Sequence, residues 1–352
     1  MRQILCGMLI ACRFIAVAAA EEGPGAAKPE VRRPTILWTV PLKSDSKGSA
    51  AVADIDGDGK LEIVFGTYFN DRHVYALSAE DGRVQWKFLS DRGPLDASIA
   101  IADLDHDDKL ETLTADSSSG NLFCLDGHGK EKWRLKLPNS TDSPPAIADL
   151  DGDGRLEIVV ATCDGDVYAL NAAGEQVWHR HFDGEYLFAP TTIVDVAGDG
   201  DERIVVGGRN HLYLLQASDG ELIWKKKVDS HVERGAAAAD VDGDGDLDVI
   251  FCAGTRLFVL DGRSGEELLA FEAGDEKMPD PAARISSAPV VADFDGDGGL
   301  DVFFVVGKGL YGQDGKLMKE NHGRGVALRL GGKGDGWPTF RGNLHRTGRA
   351  SP

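Results

Sequence analysis

Ala148 to Trp178 reads ADLDGDGRLEIVVATCDGDVYALNAAGEQVW, and nearly every other part of the chain is a variant of it. Its first third sets Asp149, Asp151 and Asp153 at alternate positions around Gly152 and Gly154, with Glu157 closing the run. Carboxylates crowded on a glycine turn repel one another, and relief comes from raised pKa values or from a bound cation. The run Ile158-Val159-Val160 that follows is short, apolar and β-branched, which reads as a strand.

Aligned on their first aspartate, the copies begin at Asp54, Asp103, Asp149, Asp195, Asp240 and Asp293, spaced by 49, 46, 46, 45 and 53 residues. A period of this size marks a supersecondary unit that buries its apolar faces only against neighbours. Each unit reads as four strands, exemplified by AIAD, EIVVAT, DVYALN and QVWHRHF, with turn residues between them. Four-stranded units repeated this way are propeller blades, and the small residues of GAAAA at 235–239 suit the crowded inner strand. The expected fold is therefore an all-β propeller, a single domain over 35–349, with six blades or, as the alternative, seven.

The chain has 352 residues, 42% of them hydrophobic, and a formal charge of −20. No basic stripe offsets that charge, which argues against nucleic acid as a partner. The six loops hold 26 of the 58 acidic residues, so the acidity reads as ligand supply.

Met1 to Ala20 carries Arg2, an apolar stretch and a small-residue end, the pattern of a secretory signal. A secreted, periplasmic or cell-surface location is the expectation. Leu9-Ile10-Ala11-Cys12 also resembles a lipoprotein cleavage box, an alternative that would place a membrane anchor at Cys12. Glu21 to Pro34 has the composition of a flexible linker. Cys124, Cys163 and Cys252 fall at unrelated spacings near strands and read as buried small hydrophobes.

Thr35 to Leu42, TILWTVPL, looks like a fourth strand without its first three, Trp38 matching Trp86, Trp133, Trp178 and Trp224. It is expected to close the ring by completing the last blade, leaving no free sheet edge. The Gly315–Lys319 stretch makes a poor fourth strand of its own. The tail over 324–349 is expected to pack on the last blade as a closing segment, or to add strands to an incomplete seventh, and GGKGDG at 331–336 reads as a turn. An Asp-Gly or similar pair announces the fourth strand, its glycine four residues ahead of the large side chain, as Gly82 precedes Trp86 and Gly220 precedes Trp224.

The ligand sets follow from the loops. Site one offers Asp54, Asp56, Asp58 and Glu62; site two Asp103, Asp105, Asp107 and Glu111; site three Asp149, Asp151, Asp153 and Glu157. Site five offers Asp240, Asp242, Asp244 and Asp248, and site six Asp293, Asp295, Asp297 and Asp301. The seventh residue of each, Lys60, Lys109, Arg155, Asp246 or Gly299, would add a backbone carbonyl. Hard oxygens in flexible loops select Ca²⁺ over zinc, copper or Mg²⁺. An EF-hand is excluded, because the closing acid stands ninth and a strand follows it. Loop four has Ala197 and Arg203 at ligand positions and is expected to be defective, leaving about five sites. At millimolar calcium and a dissociation constant of about 10⁻⁴ M, each filled site adds about 1.4 kcal/mol, and five add about 7 kcal/mol.

DIDGDGKLEIVFGT, DLDGDGRLEIVVAT and DVDGDGDLDVIFCAG resemble the FG-GAP/VCBS calcium loops of integrin α-subunit propellers and of secreted bacterial proteins, over about Lys47 to Gln313. HVYALSAEDGRVQW and DVYALNAAGEQVW resemble the third and fourth strands of quinoprotein-like (PQQ-like) propellers, whose tryptophans dock blade on blade. The resemblance implies calcium loops between strands one and two, on the face opposite the ligand-binding loops.

Residues that break the repeat on that opposite face include Tyr68, Asn70, Asp71, Arg72, Arg92, Asp96, Glu185, Tyr186, His231, Glu233, Arg234 and Arg284. No acid–base pair, nucleophile or cofactor-binding residue can be assigned among them. His179 and His181 share a strand face with no carboxylate motif beside them in the sequence, and His106 replaces a loop glycine and is expected to face solvent. The expected function is a non-enzymatic adhesion or scaffold module for protein or glycan. The alternative is an enzyme on the same scaffold, a polysaccharide lyase or a PQQ-type oxidoreductase. Against the quinone, the mature chain lacks an adjacent cysteine pair and has fewer units than the eight usual in such enzymes.

Overall fold

The computed structural model describes residues 36–46, 48–95, 97–273, 283–285, 287–308, 323–333 and 336–337. Residues from Trp38 onward form one compact unit; of the separate unit before it only Ile36 and Leu37 are described. The expected signal and linker, and Asp96, lie outside the described residues.

Six antiparallel sheets follow one another along the chain. Blade one comprises β1 (Ala51–Ala53), β2 (Glu62–Gly66), β3 (His73–Ser78) and β4 (Val84–Leu89). Blade two comprises β5 (Ala100–Ala102), β6 (Glu111–Ala115), β7 (Asn121–Leu125) and β8 (Glu131–Lys136). In blade three these are β9 (Ala146–Ala148), β10 (Glu157–Ala161), β11 (Asp166–Leu170) and β12 (Gln176–His181). Blade four has β13 (Thr192–Val194), β14 (Arg203–Gly207), β15 (His211–Gln216) and β16 (Leu222–Lys227). Blade five has β17 (Val232–Ala239), β18 (Asp248–Ala253), β19 (Arg256–Leu260) and β20 (Glu267–Glu272). Blade six has β21 (Ala283–Ile285), β22 (Val290–Ala292), β23 (Leu300–Lys308) and β24 (Gly323–Gly331). The all-β propeller read from the repeat is the fold, and no helix occurs among the described residues.

The first strands stand side by side round the axis, each touching the next from β1 through β5, β9, β13 and β17 to β22. Ala51, Ala100 and Ala146 on these strands are completely buried, as suits the crowded place where the blades converge. Apolar layers sandwiched between neighbouring sheets make the core, for example Ala146, Val159, Val167 and Trp178 against Ile193, Ile204 and Tyr213. Cys124, Cys163 and Cys252 are free and buried, as their spacing implied.

Indole hydrogen bonds join successive blades. Trp86 Nε1 donates to Gly127 O at 2.9 Å, Trp133 to Ala172 at 2.9 Å, Trp178 to Ala217 at 2.9 Å and Trp224 to Gly262 at 3.0 Å. The glycine of the recipient turn lies directly beneath the ring. A Cβ on Gly129 would come within 2.5 Å of the Trp86 indole, so the spacing of glycine and tryptophan serves two blades at once.

One expectation about closure is corrected and one is extended. Ile36–Leu42 forms no strand, yet Trp38 Nε1 donates to Ala79 O at 3.1 Å and its ring covers Gly82. The segment thus docks its indole on blade one as Trp86 docks on blade two, without strand pairing of its own. Over its described residues the tail first adds a strand to blade six, β24 pairing with β23 from Gly307↔Gly323 to Leu300↔Gly331, and then packs on that blade as expected, with Trp337 buried and bridged to Val291. Alternation explains the added strand, since Val326, Leu328 and Leu330 turn to the core while Ala327 and Arg329 face out. The Gly315–Lys319 stretch lies outside the described residues.

Candidate functional site

Every acidic loop is pinned by one register. The loop's ninth residue opens the second strand and pairs with the residue just before the first aspartate: Ala53↔Glu62, Ala102↔Glu111, Ala148↔Glu157, Ala239↔Asp248 and Ala292↔Asp301. This buries the closing acid at the sheet end; Glu62 and Asp248 are each 1% exposed. The first aspartate organises the turn. Asp54 accepts from Gly57 N and Gly59 N, both at 2.9 Å, and Asp149, Asp240 and Asp293 accept from the equivalent glycines. The third aspartate accepts the N–H of the seventh residue: Asp58 from Lys60, Asp107 from Lys109, Asp153 from Arg155, Asp244 from Asp246 and Asp297 from Gly299.

These turns draw carboxylate oxygens together. In loops one, two and six the three alternating aspartates each offer an oxygen within 4.8 Å of the others: Asp54, Asp56 and Asp58; Asp103, Asp105 and Asp107; Asp293, Asp295 and Asp297. In loops three and five the closing acid joins two aspartates, giving Asp149, Asp151 and Glu157, and Asp240, Asp242 and Asp248. The closing acid always spends one oxygen on a backbone N–H seven residues earlier, as Glu62 Oε2 does on Ile55 at 3.1 Å. Its other oxygen, Glu62 Oε1, is buried with no hydrogen-bond partner. A buried carboxylate oxygen left unmatched beside three further acids suits a hard cation, so these residues fit Ca²⁺. Burial raises the Glu62 and Glu157 carboxyls above the usual range and pushes Asp248 up to about 6.

Loop four separates shape from ligation. Asp195 still accepts from Asp199 N at 3.2 Å and Gly200 N at 2.8 Å, so the turn persists. Arg203 opens β14 in place of the closing acid and lies 3.3 Å from Asp199, and no converging acid group forms there among the described residues. His106 is exposed, as expected, and adopts φ 55°; with Asp108 at 64° it fills the left-handed positions that glycine takes in the other loops.

At the other end of the first strands lies a cavity of about 900 Å³. Residues at or just before the first strand of every blade line it, among them Ser49, Ser98, Pro144, Phe188, Arg234 within β17 and Ser287, together with Tyr68, Phe69 and Asp142. All six blades therefore converge on it, on the face away from the acidic loops. At its rim Phe188 stands 5.8 Å from the His231 ring and 5.4 Å from Tyr186, and Arg209 lies 5.6 Å over Tyr186. Burial, then Arg209, whose Nε is 3.1 Å from His231 Nε2, pushes His231 below its usual pKa.

Other predicted residues are spent on structure. Asp71 is buried and accepts from Lys43 N, with His73 Nδ1 at 2.7 Å and Tyr75 Oη at 3.0 Å. Glu185 repeats this with Asn210 N, His211 Nδ1 at 2.7 Å and Tyr213 Oη at 3.0 Å. Arg72 donates to the Arg92 carbonyl, Arg284 pairs with Glu233 at 2.7 Å, and Asn70 adopts φ 78° in its turn. His179 and His181 do have a carboxylate: His179 Nε2 and His181 Nδ1 meet Asp166 Oδ1, at 2.7 and 2.8 Å. The pairing Asp166↔His181 and Tyr168↔His179 across the β11–β12 hairpin is the signal that could have revealed it.

Comparison with known proteins bears out both halves of the resemblance. Residues 103–160 match the FG-GAP-like repeat, and residues 152–316 match the family described as outer membrane protein assembly factor BamB. No curated protein matches the sequence. Among solved structures, the V. cholerae biofilm matrix protein Bap1 superposes with a TM-score of 0.59 at 20% identity, covering 84% of this chain; the chain spans 55% of Bap1. BamB from Moraxella catarrhalis gives 0.55 at 16% identity, covering 86% of this chain and 81% of that one. A quinohemoprotein alcohol dehydrogenase from Pseudomonas putida HK5 gives 0.50 at 13%, covering 82% and 57%. At these identities the likeness carries the propeller fold and no more.

Proposed function

We propose that this chain is an exported, calcium-stabilised β-propeller that binds a protein or glycan on its cavity-bearing face and is not an enzyme. The observation that carries this reading is the cavity itself, fed by all six blades and lined by hydroxyls, Arg234 and the rings of Tyr68, Phe69 and Phe188. Aromatic faces interleaved with hydrogen-bonding groups suit sugar rings and peptide backbones. The three carboxylate–histidine groups, on Asp71, Asp166 and Glu185, lie outside the residues lining it. Two of the similar proteins fit this reading: Bap1 is a biofilm matrix protein and BamB an outer membrane protein assembly factor, both settings outside the cytoplasm. Calcium, on this reading, is structural.

A glycan array and a pull-down from surface proteins, each run with calcium and with chelator, test the proposal. Binding that depends on calcium and is lost in Arg234→Ala and Phe188→Ala variants supports it. Turnover of a polysaccharide substrate, or a quinone absorption band in the purified protein, would favour the enzyme.

A further inference from the structure

The five loops with converging acids fall into two kinds, distinguished by what reaches the acids. In each, one oxygen of the closing acid accepts a backbone N–H, from Ile55, Leu104, Leu150, Val241 or Phe294. In loop one the other oxygen, Glu62 Oε1, is buried without a partner, and the loop's lysine, Lys60, turns away to Glu80 at 3.1 Å. In loop two the equivalent atom, Glu111 Oε1, meets Lys132 Nζ at 2.8 Å, and the same ammonium lies 2.8 Å from Asp105 Oδ2. In loop six the Arg329 guanidinium contacts Asp295 and Asp297 and stands 3.5 Å from Asp301.

We infer that Lys132 and Arg329 are tethered cations that hold the divalent-ion positions of loops two and six, so that only loops one, three and five demand an ion from solution. The inference rests on the reading of these loops as calcium sites and says which of them fill. Loops three and five have basic neighbours too, but these miss the converging groups. Arg155 takes Asp153 and Arg263 takes Asp246, whereas the acids that converge are Asp149, Asp151 and Glu157, and Asp240, Asp242 and Asp248. In loops two and six the cation sits on the converging acids themselves, Asp105 in one and Asp295 with Asp297 in the other.

Strand geometry explains the selectivity. Lys132 precedes Trp133 on β8, and the positions ahead of the matching residues in blades one, three, four and five carry Gln85, Val177, Ile223 and Leu268, none of them charged. Arg329 lies directly opposite Asp301 in the β23–β24 register. A side chain fixed on another strand of the same sheet competes at high effective concentration, and an incoming ion must displace it. Two carboxylate oxygens already neutralised by one ammonium also attract a divalent ion less strongly.

Counting calcium bound to the folded full chain tests this, by equilibrium dialysis at about 1 mM free Ca²⁺, about ten times the dissociation constant, followed by elemental analysis. The wild type should hold three ions, Lys132→Met and Arg329→Met four each, and the double variant five. Lys132→Arg keeps the charge and should stay at three, and Glu62→Gln should fall to two. Circular dichroism establishes that each variant is folded. A wild type that takes five ions of equal affinity, or methionine variants that stay at the wild-type count, would overturn the inference while leaving the loops as calcium sites. A chain that binds none would overturn both.

Discussion

The indole nitrogen of Trp178 donates to the carbonyl oxygen of Ala217 at 2.9 Å, fastening blade three to blade four through a buried ring. Trp178→Ala should cost about 3–5 kcal/mol, since it opens a cavity between two sheets, while Trp178→Phe should cost much less because the apolar layer is kept. Urea denaturation of both variants measures this. Equal losses would show that the ring's packing is not what joins the blades.

The glycine seats permit a cleaner comparison. Gly129 and Gly152 share nearly the same backbone, φ 76° and 75°, but a Cβ on Gly129 strikes the Trp86 ring and one on Gly152 meets nothing within 4 Å. Both alanine variants should lose about 1 kcal/mol from the left-handed conformation, and Gly129→Ala should lose more from the collision. Their difference in melting temperature isolates the steric part.

How much of this was legible in the sequence depends on how far apart the interacting residues are. The spacing of Asp149, Asp151, Asp153 and Glu157 is local, and the turn they form is local, so loop and strand could be read together. The docking role of Trp86, Trp133, Trp178 and Trp224 was implied by the resemblance to quinoprotein-like propellers, and each tryptophan does repeat the same contact one blade on. Lys132 gave no such sign: its ammonium crosses from β8 to a loop 21 residues earlier, and only the sheet brings them together. The same holds for β24, whose sequence reads as a tail until β23 supplies a partner, and for His179 and His181, whose carboxylate lies on the neighbouring strand. The cavity is harder still, because each blade contributes only a few residues to it.

Loop four predicts a separation of roles. Asp195 shapes a turn that has lost its ligands, so Asp195→Ala should cost about 1–2 kcal/mol equally with calcium and with chelator. Asp149→Ala in loop three should cost more in calcium than in chelator. Paired thermal melts of the two variants check this, and a calcium-dependent penalty at Asp195 would contradict it.

Asp248 sets a pH dependence in the metal-free protein. Burial raises its pKa from 3.8 to about 6, so the fold favours the protonated acid. The associated stability is fully present below about pH 3.8 and is lost as pH rises through about 6. Asp248→Asn should therefore be more stable than the wild type by about 1–3 kcal/mol near pH 7.5 in chelator, and show no such gain near pH 4. In saturating calcium the order near neutral pH should reverse, because the variant has lost a ligand.

If calcium holds the acidic turns of the propeller together, a thermal melt of the wild-type chain in millimolar calcium must differ from a melt of the same chain in excess chelator. Three filled loops at about 1.4 kcal/mol each predict a fall in melting temperature on the order of 10 °C on chelation, restored by adding calcium back. A melting temperature unchanged by chelator would contradict it.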